Sequence, residues 1–99
     1  MIFSSPLNFE WDIGNLNKNL LKHGVSNFET EEVFFDADKK ILKDILHSKG
    51  EERFILIGKT KLNRILFIVF TIRDEKLRII SARDINKKEV FLYEKRIKT

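Results

Sequence analysis

The sequence predicts a single α+β domain over residues 1–99, in which helices pack against one antiparallel sheet of about four strands. Two observations predict this class. Helix-start signals and apolar residues at helical spacing occupy the first third and the C-terminal end, whereas β-branched and aromatic residues fill residues 53–83. The chain has 99 residues and 42% hydrophobic side chains, which is enough for one core and too little for two.

The N-terminal third predicts a strand followed by two helices. Apolar and polar residues alternate across residues 7–12, which is typical of a half-buried strand. Asp12 is a candidate cap for a helix that ends at Gly24, since glycine readily adopts the left-handed conformation. Ser26 and Glu29 have the spacing of a capping box, so we expect a second short helix there.

The rest of the chain predicts the sheet and a last helix. Candidate strands follow at residues 40–46, 53–59, 65–72 and 77–83, although the first of these runs is ambiguous. Short polar connections predict antiparallel hairpins between the last three. Asn86 and Glu89 have the spacing of another capping box, which predicts a C-terminal helix. The expected domain thus has two N-terminal helices and one C-terminal helix.

The distribution of charge indicates an anionic partner. The chain carries a net charge of +4, and residues 1–50 hold six basic and eight acidic residues, whereas residues 51–99 hold thirteen and seven. Nucleic acid is the first candidate, and an ordinary solvated surface is the alternative. The longest apolar run, Ile65–Phe70, is too short for a membrane span, and we expect no secretory signal and a cytoplasmic protein.

The residue types favour metal-free chemistry on RNA. The sequence has no cysteine, no glycine-rich phosphate loop and no cluster of carboxylates, so we expect no metal and no cofactor. Histidine can move protons near neutral pH, and the arginine fork fits phosphate oxygens. Together they can activate a ribose 2′-hydroxyl and stabilise the charge that develops on phosphorus.

Each candidate residue also has an ordinary structural interpretation. His23 could interact favourably with the negative C-terminal end of the helix dipole, and His47 could be a solvated loop residue. Arg78 and Arg83 interrupt an apolar strand, yet residues five apart face opposite sides of a regular strand. A bulge, an early end of the strand, or a single substrate-facing arginine would each resolve this. Tyr93 could stack on a base or pack at the rim of the core.

Several short motifs follow one another in a recognisable order. They are Phe9-Glu-Trp-Asp12, Asn19-x-x-Lys22-His23-Gly24-Val25, Glu32-Val33-Phe34-x-Asp36, Asp44-x-x-His47-Ser48, Glu51-Glu52-Arg53-Phe54, Ile57-Gly58, Arg78-x-Ile80-Ser81-Ala82-Arg83, Glu89 and Tyr93-Glu94. This ordered set resembles the BrnT toxins of bacterial type II toxin–antitoxin pairs, from about Phe9 to Glu94.

The resemblance implies a RelE-like fold and a ribonuclease that halts translation by cutting mRNA, on or off the ribosome. It also implies a BrnA-like ribbon-helix-helix antitoxin, through which alone the toxin would reach operator DNA. The catalytic candidates are Lys22, His23, Glu52, Arg78 and Arg83. The RNA-binding candidates, from the motifs and the basic half, are His47, Arg53, Lys59, Lys61, Arg64 and Tyr93. A non-catalytic co-repressor and a structural subunit that docks an acidic partner are the alternatives.

Overall fold

The computed structural model describes residues 6–12, 17–45 and 50–94, which form three helices and five strands. The helices are α1 (Lys18–His23), α2 (Asn27–Val33) and α3 (Val90–Glu94). The strands are β1 (Phe9–Glu10), β2 (Lys40–Lys43), β3 (Phe54–Lys59), β4 (Ile65–Arg73) and β5 (Lys76–Asp84). The predicted α+β class is confirmed, with two helices before the main strands and one after them. In these three ranges no helix is long and apolar enough to cross a membrane.

The strands form one open sheet in the order β1-β5-β4-β3-β2. The neighbours from β2 to β5 are antiparallel, as the short connections predict, but β1 lies parallel to β5. The expected sheet of about four strands, all antiparallel, is therefore not confirmed: the sheet is mixed and has five strands, because β1 joins it in parallel. A tight turn forces antiparallel pairing, whereas β1 is separated from β5 by most of the chain and can pair in either direction.

The core lies between one face of the sheet and α2. Leu66, Ile68 and Phe70 alternate along β4 and are fully buried on this core face. Phe34, just after α2, packs edge-on against Phe70 at 5.2 Å between ring centroids and against Phe9 at 5.1 Å. Through these contacts Phe9 and Phe34, which lie at the two ends of the first third of the chain, help to close the core.

Helix α2 lies very close to β3 at Gly58. A Cβ atom at this position would stand 2.8 Å from the carbonyl oxygen of Val33, the last residue of α2. Only a residue without a side chain allows this approach, so Gly58 sets the distance between the helix and the sheet.

The predicted capping box of α2 is confirmed. Ser26 Oγ accepts a hydrogen bond from the Glu29 backbone N–H at 3.0 Å, and Glu29 Oε1 accepts one from the Ser26 N–H at 3.0 Å. Asn86 and Glu89 exchange the equivalent bonds ahead of α3, at 3.0 and 3.1 Å. Both helices are short, so these reciprocal bonds satisfy a large share of their free amides.

Helix α1 ends where the sequence predicts. Gly24 has a φ of 66°, and its N–H bonds to carbonyl oxygens of the last turn. The helix as described begins at Lys18; the expected start after Asp12 involves residues 13–16, which lie outside the described ranges.

Candidate nucleic-acid interface

A bulge in β5 brings Arg78 and Arg83 to the same face of the sheet. The β4–β5 register shifts between Val69 and Phe70, and Ile80 is the extra residue, with no pairing partner on β4. One extra residue reverses the alternation of side chains, so positions five apart come to share a face. Of the three alternatives that the sequence leaves open, the bulge is the one that the structure contains.

These two residues define what we call the arginine face, on the side of the sheet opposite the core. Arg83 pairs with Phe67 and Arg78 with Thr71, and both partners alternate with the buried core residues of β4. Thr71 lies four positions after Phe67, which corresponds to about 13 Å along the strand. The two arginines are therefore placed along the face and not side by side.

The Arg83 guanidinium is held by one ring and one carboxylate. Its central carbon lies 4.1 Å from the centroid of the Phe67 ring, and Nη1 and Nη2 each donate to Glu89 at 2.8 Å. Nη1 also donates to the Asp84 carbonyl at 3.1 Å. The Glu89 bonds raise the pKa of Arg83 and, in return, lower the pKa of Glu89. Nε–H and one Nη2–H have no acceptor among the residues that the structure describes.

Arg78 is held from the other side, by the first strand. Its Nε lies 3.1 Å from Glu10 Oε1, and its Nη2 lies 3.2 Å from Asp12 Oδ2. An arginine has five N–H donors, so these two contacts leave donors of Arg78 available for a further anion.

The predicted catalytic residues fall into two groups, one near Asp84 at the end of β5 and one near Thr71 on β4. Lys22 and His23 end α1 beside Asp84, next to Arg83 in the chain. In the second group, the Thr71 hydroxyl donates to the Glu52 carbonyl at 2.8 Å, and Thr71 pairs with Arg78. The groups are Lys22, His23 and Arg83 (the His23 end) and Glu52, Arg53 and Arg78 (the Glu52 end).

At the His23 end, the side chains of Lys22 and His23 are exposed. Hydrogen bonds from Arg64 hold the pKa of Asp84 below its usual value, and the charge of His23 adds to this lowering. Lys22 has no partner within the described ranges. At the Glu52 end, the exposed Glu52 carboxylate lies 3.6 Å from Lys43 Nζ, and the Arg53 carbonyl accepts from the Asp44 N–H at 2.8 Å.

Arg64 has a different environment from Arg78 and Arg83, because all five of its N–H groups have acceptors. Nε and Nη2 donate to the two oxygens of Asp84 at 2.6 and 2.9 Å. Nη1 donates to the Gly24 carbonyl at 2.8 Å and to Glu29, whereas Nη2 also donates to the His23 carbonyl at 3.2 Å. Arg64 thus joins the end of α1, the start of α2 and the end of β5. Its predicted contact with RNA stays a prediction, and it would require one of these bonds to break.

The other RNA-binding candidates lie near α3 and the β3–β4 turn. Lys59 Nζ stands 5.5 Å from the Tyr93 ring centroid, and the Tyr93 hydroxyl donates to Asp36 at 2.8 Å. Burial is the main cause that raises the pKa of Tyr93, and this hydrogen bond raises it further. The side chain of Lys61 is exposed on the turn. His47 falls on residues 46–49, outside the described ranges.

The sequence pattern missed the partners of the two arginines. Phe67 lies opposite Arg83 only because of the β4–β5 register, and Glu10 reaches Arg78 only because β1 is parallel. Lys18 Nζ, which donates to the Ile80 carbonyl at 2.7 Å, binds the bulge itself. Glu89 had a usable signal, since the capping box places its carboxylate just after the strand that carries Arg83.

No three histidine, cysteine, aspartate or glutamate side chains gather as a possible metal site in the part of the chain that the structure describes. The arginine face thus combines two guanidinium groups that keep N–H donors without acceptors among the described residues, three carboxylates that pair with them, and the ring of Phe67.

These features define a small α+β protein with a surface suited to an anionic chain. The family model described as the ribonuclease toxin BrnT of type II toxin–antitoxin systems matches residues 11–89. The match covers most of the 99 residues, so the chain belongs to the BrnT family of ribonuclease toxins. Membership implies RNA as the substrate class and an antitoxin as the partner. All the candidate site residues except Tyr93 lie within the match, and a comparison with curated proteins finds no match.

Proposed function

We propose that this protein is a metal-independent endoribonuclease toxin, with a RelE-like fold, that cleaves mRNA in the cytoplasm and arrests translation. The observation that carries the proposal is the β5 bulge, which aligns Arg78 and Arg83 on one face while each keeps N–H donors without an acceptor. Guanidinium groups with free donors are suited to phosphate oxygens.

The separation of the two arginines supports a division of labour along one RNA strand. Arg83 leans over β4, on Phe67, whereas Arg78 is drawn towards β1 by Glu10. We infer that they contact different phosphates. Arg83 would stabilise the charge on the phosphate that reacts, because His23 lies beside Asp84, the next residue along β5, and Arg78 would hold the strand together with Arg53.

The chemistry at the His23 end needs two proton transfers. As the ribose 2′-hydroxyl loses its proton to a base, its oxygen forms a bond to phosphorus, the bond from phosphorus to the 5′-oxygen breaks, and that oxygen takes up a proton. The products are a 2′,3′-cyclic phosphate and a free 5′-hydroxyl. His23 is our candidate for one transfer and Lys22 for charge stabilisation, whereas the more distant Glu52 would act by orienting the strand.

The partner that fits this proposal is a BrnA-like antitoxin with a ribbon-helix-helix dimer, which alone would contact operator DNA. Neutralisation would follow if an acidic or amphipathic segment covered the arginine face. Antitoxin and RNA should then exclude one another in binding assays. A ternary complex that still cleaves RNA would refute this part of the proposal.

The experiment that tests the catalytic assignment uses His23→Ala and Arg83→Lys. Arg83→Lys keeps the charge and loses the fork, so a phosphate contact should suffer where a surface charge would not. His23→Ala should lower the cleavage rate by about 10²–10⁴ if His23 transfers a proton. If His23 only interacts with the helix dipole, the free energy of unfolding of the variant should fall by roughly 0.3–1 kcal/mol and cleavage should persist.

The matched control is Arg73→Lys. Arg73 also lies on the sheet and pairs with one carboxylate, Glu51, at 2.7 Å, but it is exposed and belongs to no candidate group. Cleavage of a defined RNA and thermal melting are measured on the same preparations. If folded His23→Ala and Arg83→Lys both cleave at the parent rate, the site assignment is wrong. RNA binding without any cleavage by the parent would favour the non-catalytic co-repressor.

A further inference from the structure

Helix α2 and the β3–β4 turn enclose a cleft of about 370 Å³. Its lining comes from two sources. The helix and the two residues after Phe34 supply two aromatic and three acidic side chains, and the strand end and turn supply two lysines. We call it the α2 cleft, and the residues that matter here are Phe28, Glu31, Glu32, Phe35, Lys59 and Lys61.

The aromatic walls of the α2 cleft are unusually exposed. Phe28 and Phe35 show 73% and 69% of their surface, whereas Thr30 and Val33 on the opposite side of the same helix are fully buried. Residues 28, 31, 32 and 35 form one stripe along the helix and the turn that follows it, so the stripe that faces away from the core carries large apolar groups. Exposed apolar side chains that flank a polar cleft mark an interaction surface.

The charge of the cleft differs in sign from that of the whole chain. Glu31 accepts from the Trp11 indole N–H at 2.8 Å, and Glu32 accepts from the Lys61 backbone N–H at 2.6 Å. Asp36, which also lines the cleft, accepts from the Lys59 backbone N–H and from a tyrosine hydroxyl. All of these donors are neutral, so three carboxylates keep their charge against two ammonium groups.

The carboxylates of the cleft are bonded to neutral donors, whereas those of the arginine face are paired with guanidinium groups, so the cleft disfavours RNA phosphate even though exposed aromatic rings can stack on bases. It favours a segment that carries apolar side chains for the two rings and a basic side chain for the carboxylates. An amphipathic peptide has this chemistry.

We propose that the α2 cleft anchors an amphipathic segment of the antitoxin, with apolar side chains between Phe28 and Phe35 and a lysine or arginine near Glu31. The inference rests on the proposed function only for the existence of an antitoxin. Since α2 packs on the core face, this anchor lies across the sheet from the arginine face. A different part of the antitoxin would therefore cover Arg78 and Arg83.

The size of the cleft is that of an anchor within a larger interface. A phenylalanine side chain can bury on the order of 150–250 Å², so the two rings supply only part of the roughly 800 Å² per partner of a stable complex. Central aromatic anchors of this kind carry much of the affinity in such interfaces.

The test compares Phe28→Ala and Phe35→Ala with Leu21→Ala, a matched loss of an exposed apolar side chain on α1. The probe is the purified protein encoded beside the toxin gene, titrated against full-length toxin by calorimetry. Each cleft variant should bind it roughly 10- to 30-fold more weakly, whereas Leu21→Ala should match the parent. RNA cleavage by all three variants should equal that of the parent.

A second variant tests the charge. Glu31→Gln keeps an oxygen that can accept from Trp11 and removes one negative charge. Its affinity for the antitoxin should fall about threefold at low salt, and the difference should shrink at high salt.

Three outcomes would overturn the inference. The first is an unchanged antitoxin affinity in the folded Phe28→Ala, Phe35→Ala double variant. The second is self-association of the parent that this double variant abolishes, which would assign the cleft to a second copy of the chain. The third is a loss of RNA affinity in the variants. Failure of the parent to cleave RNA would refute the proposed function but not the anchor, because the anchor is tested by antitoxin affinity alone.

Discussion

Replacing Arg64 with lysine should destabilise the fold far more than its position on the surface suggests. Arg64 makes six hydrogen bonds from five N–H groups, to two carboxylates and two helix-end carbonyls. A lysine ammonium has three donors at a single point, so it can bind one carboxylate and must leave the others, or the carbonyls of α1, without a charged donor.

The magnitude follows from the number of bonds lost and from their exposure. A hydrogen bond to a charged group contributes about 1.5–3 kcal/mol when it is shielded from water. The Arg64 side chain is 26% exposed, so screening reduces each contribution. Losing at least two bonds should therefore lower the free energy of unfolding by about 1–2 kcal/mol, which corresponds to a decrease in Tm of roughly 5–15 °C for a domain of this size.

The assay is urea unfolding followed by circular dichroism, with Arg73→Lys as the control. Arg73 bonds to a single carboxylate at the far end of β4, so its replacement should leave the midpoint unchanged within error. If Arg64→Lys unfolds at the same urea concentration as the parent, or if both variants lose the same stability, the role that we give to Arg64 is wrong.

Three further predictions test other parts of the molecule. Cleavage should persist in excess EDTA and leave a 2′,3′-cyclic phosphate; loss of activity in EDTA that Mg²⁺ restores would contradict the acid–base mechanism. Burial raises the pKa of Asp36, but hydrogen bonds from the Asp38 and Lys59 N–H groups and the Tyr93 hydroxyl outweigh it and lower the pKa below 3.8. The stability from Asp36 is therefore complete above about pH 4 and lost as the pH falls further, so Asp36→Asn should show a smaller decrease in urea midpoint between pH 7 and pH 3 than the parent. Gly58→Ala should lower the free energy of unfolding by about 1–3 kcal/mol, measured by urea unfolding, because the new methyl group would meet the backbone of Val33; an unchanged midpoint would show that α2 can move away.

The sequence was sufficient wherever the determining interactions are local. The capping boxes at Ser26 and Asn86 and the glycine end of α1 involve residues at most a few positions apart, and all three are confirmed. The β3–β4 hairpin follows from two apolar runs and a short turn. In each case the partner of a residue is fixed by its distance along the chain.

The sequence was insufficient where the partner is distant. The direction of β1 depends on packing of Phe9 in the core, and no turn specifies it. Whether Arg78 and Arg83 share a face depends on a bulge at Ile80. The spacing of five positions showed that some irregularity was possible, but no glycine or turn residue in the sequence indicates where it lies. The sequence also does not predict the exposure of Phe28 and Phe35, because a phenylalanine at helical spacing is more often buried.

The unpaired residue in β5 makes the arginine face tolerant of changes at that one position. Replacing Ile80 by another apolar residue would keep the count, and both arginines would remain outside. Deleting Ile80 would remove the bulge and place Arg78 and Arg83 four positions apart in a regular strand, so both arginines would stay on the outer face and Ala82 would stay in the core. An in-frame deletion of the Ile80 codon should therefore preserve the arginine face, and escape mutants selected for loss of toxicity are expected to lie elsewhere in the chain.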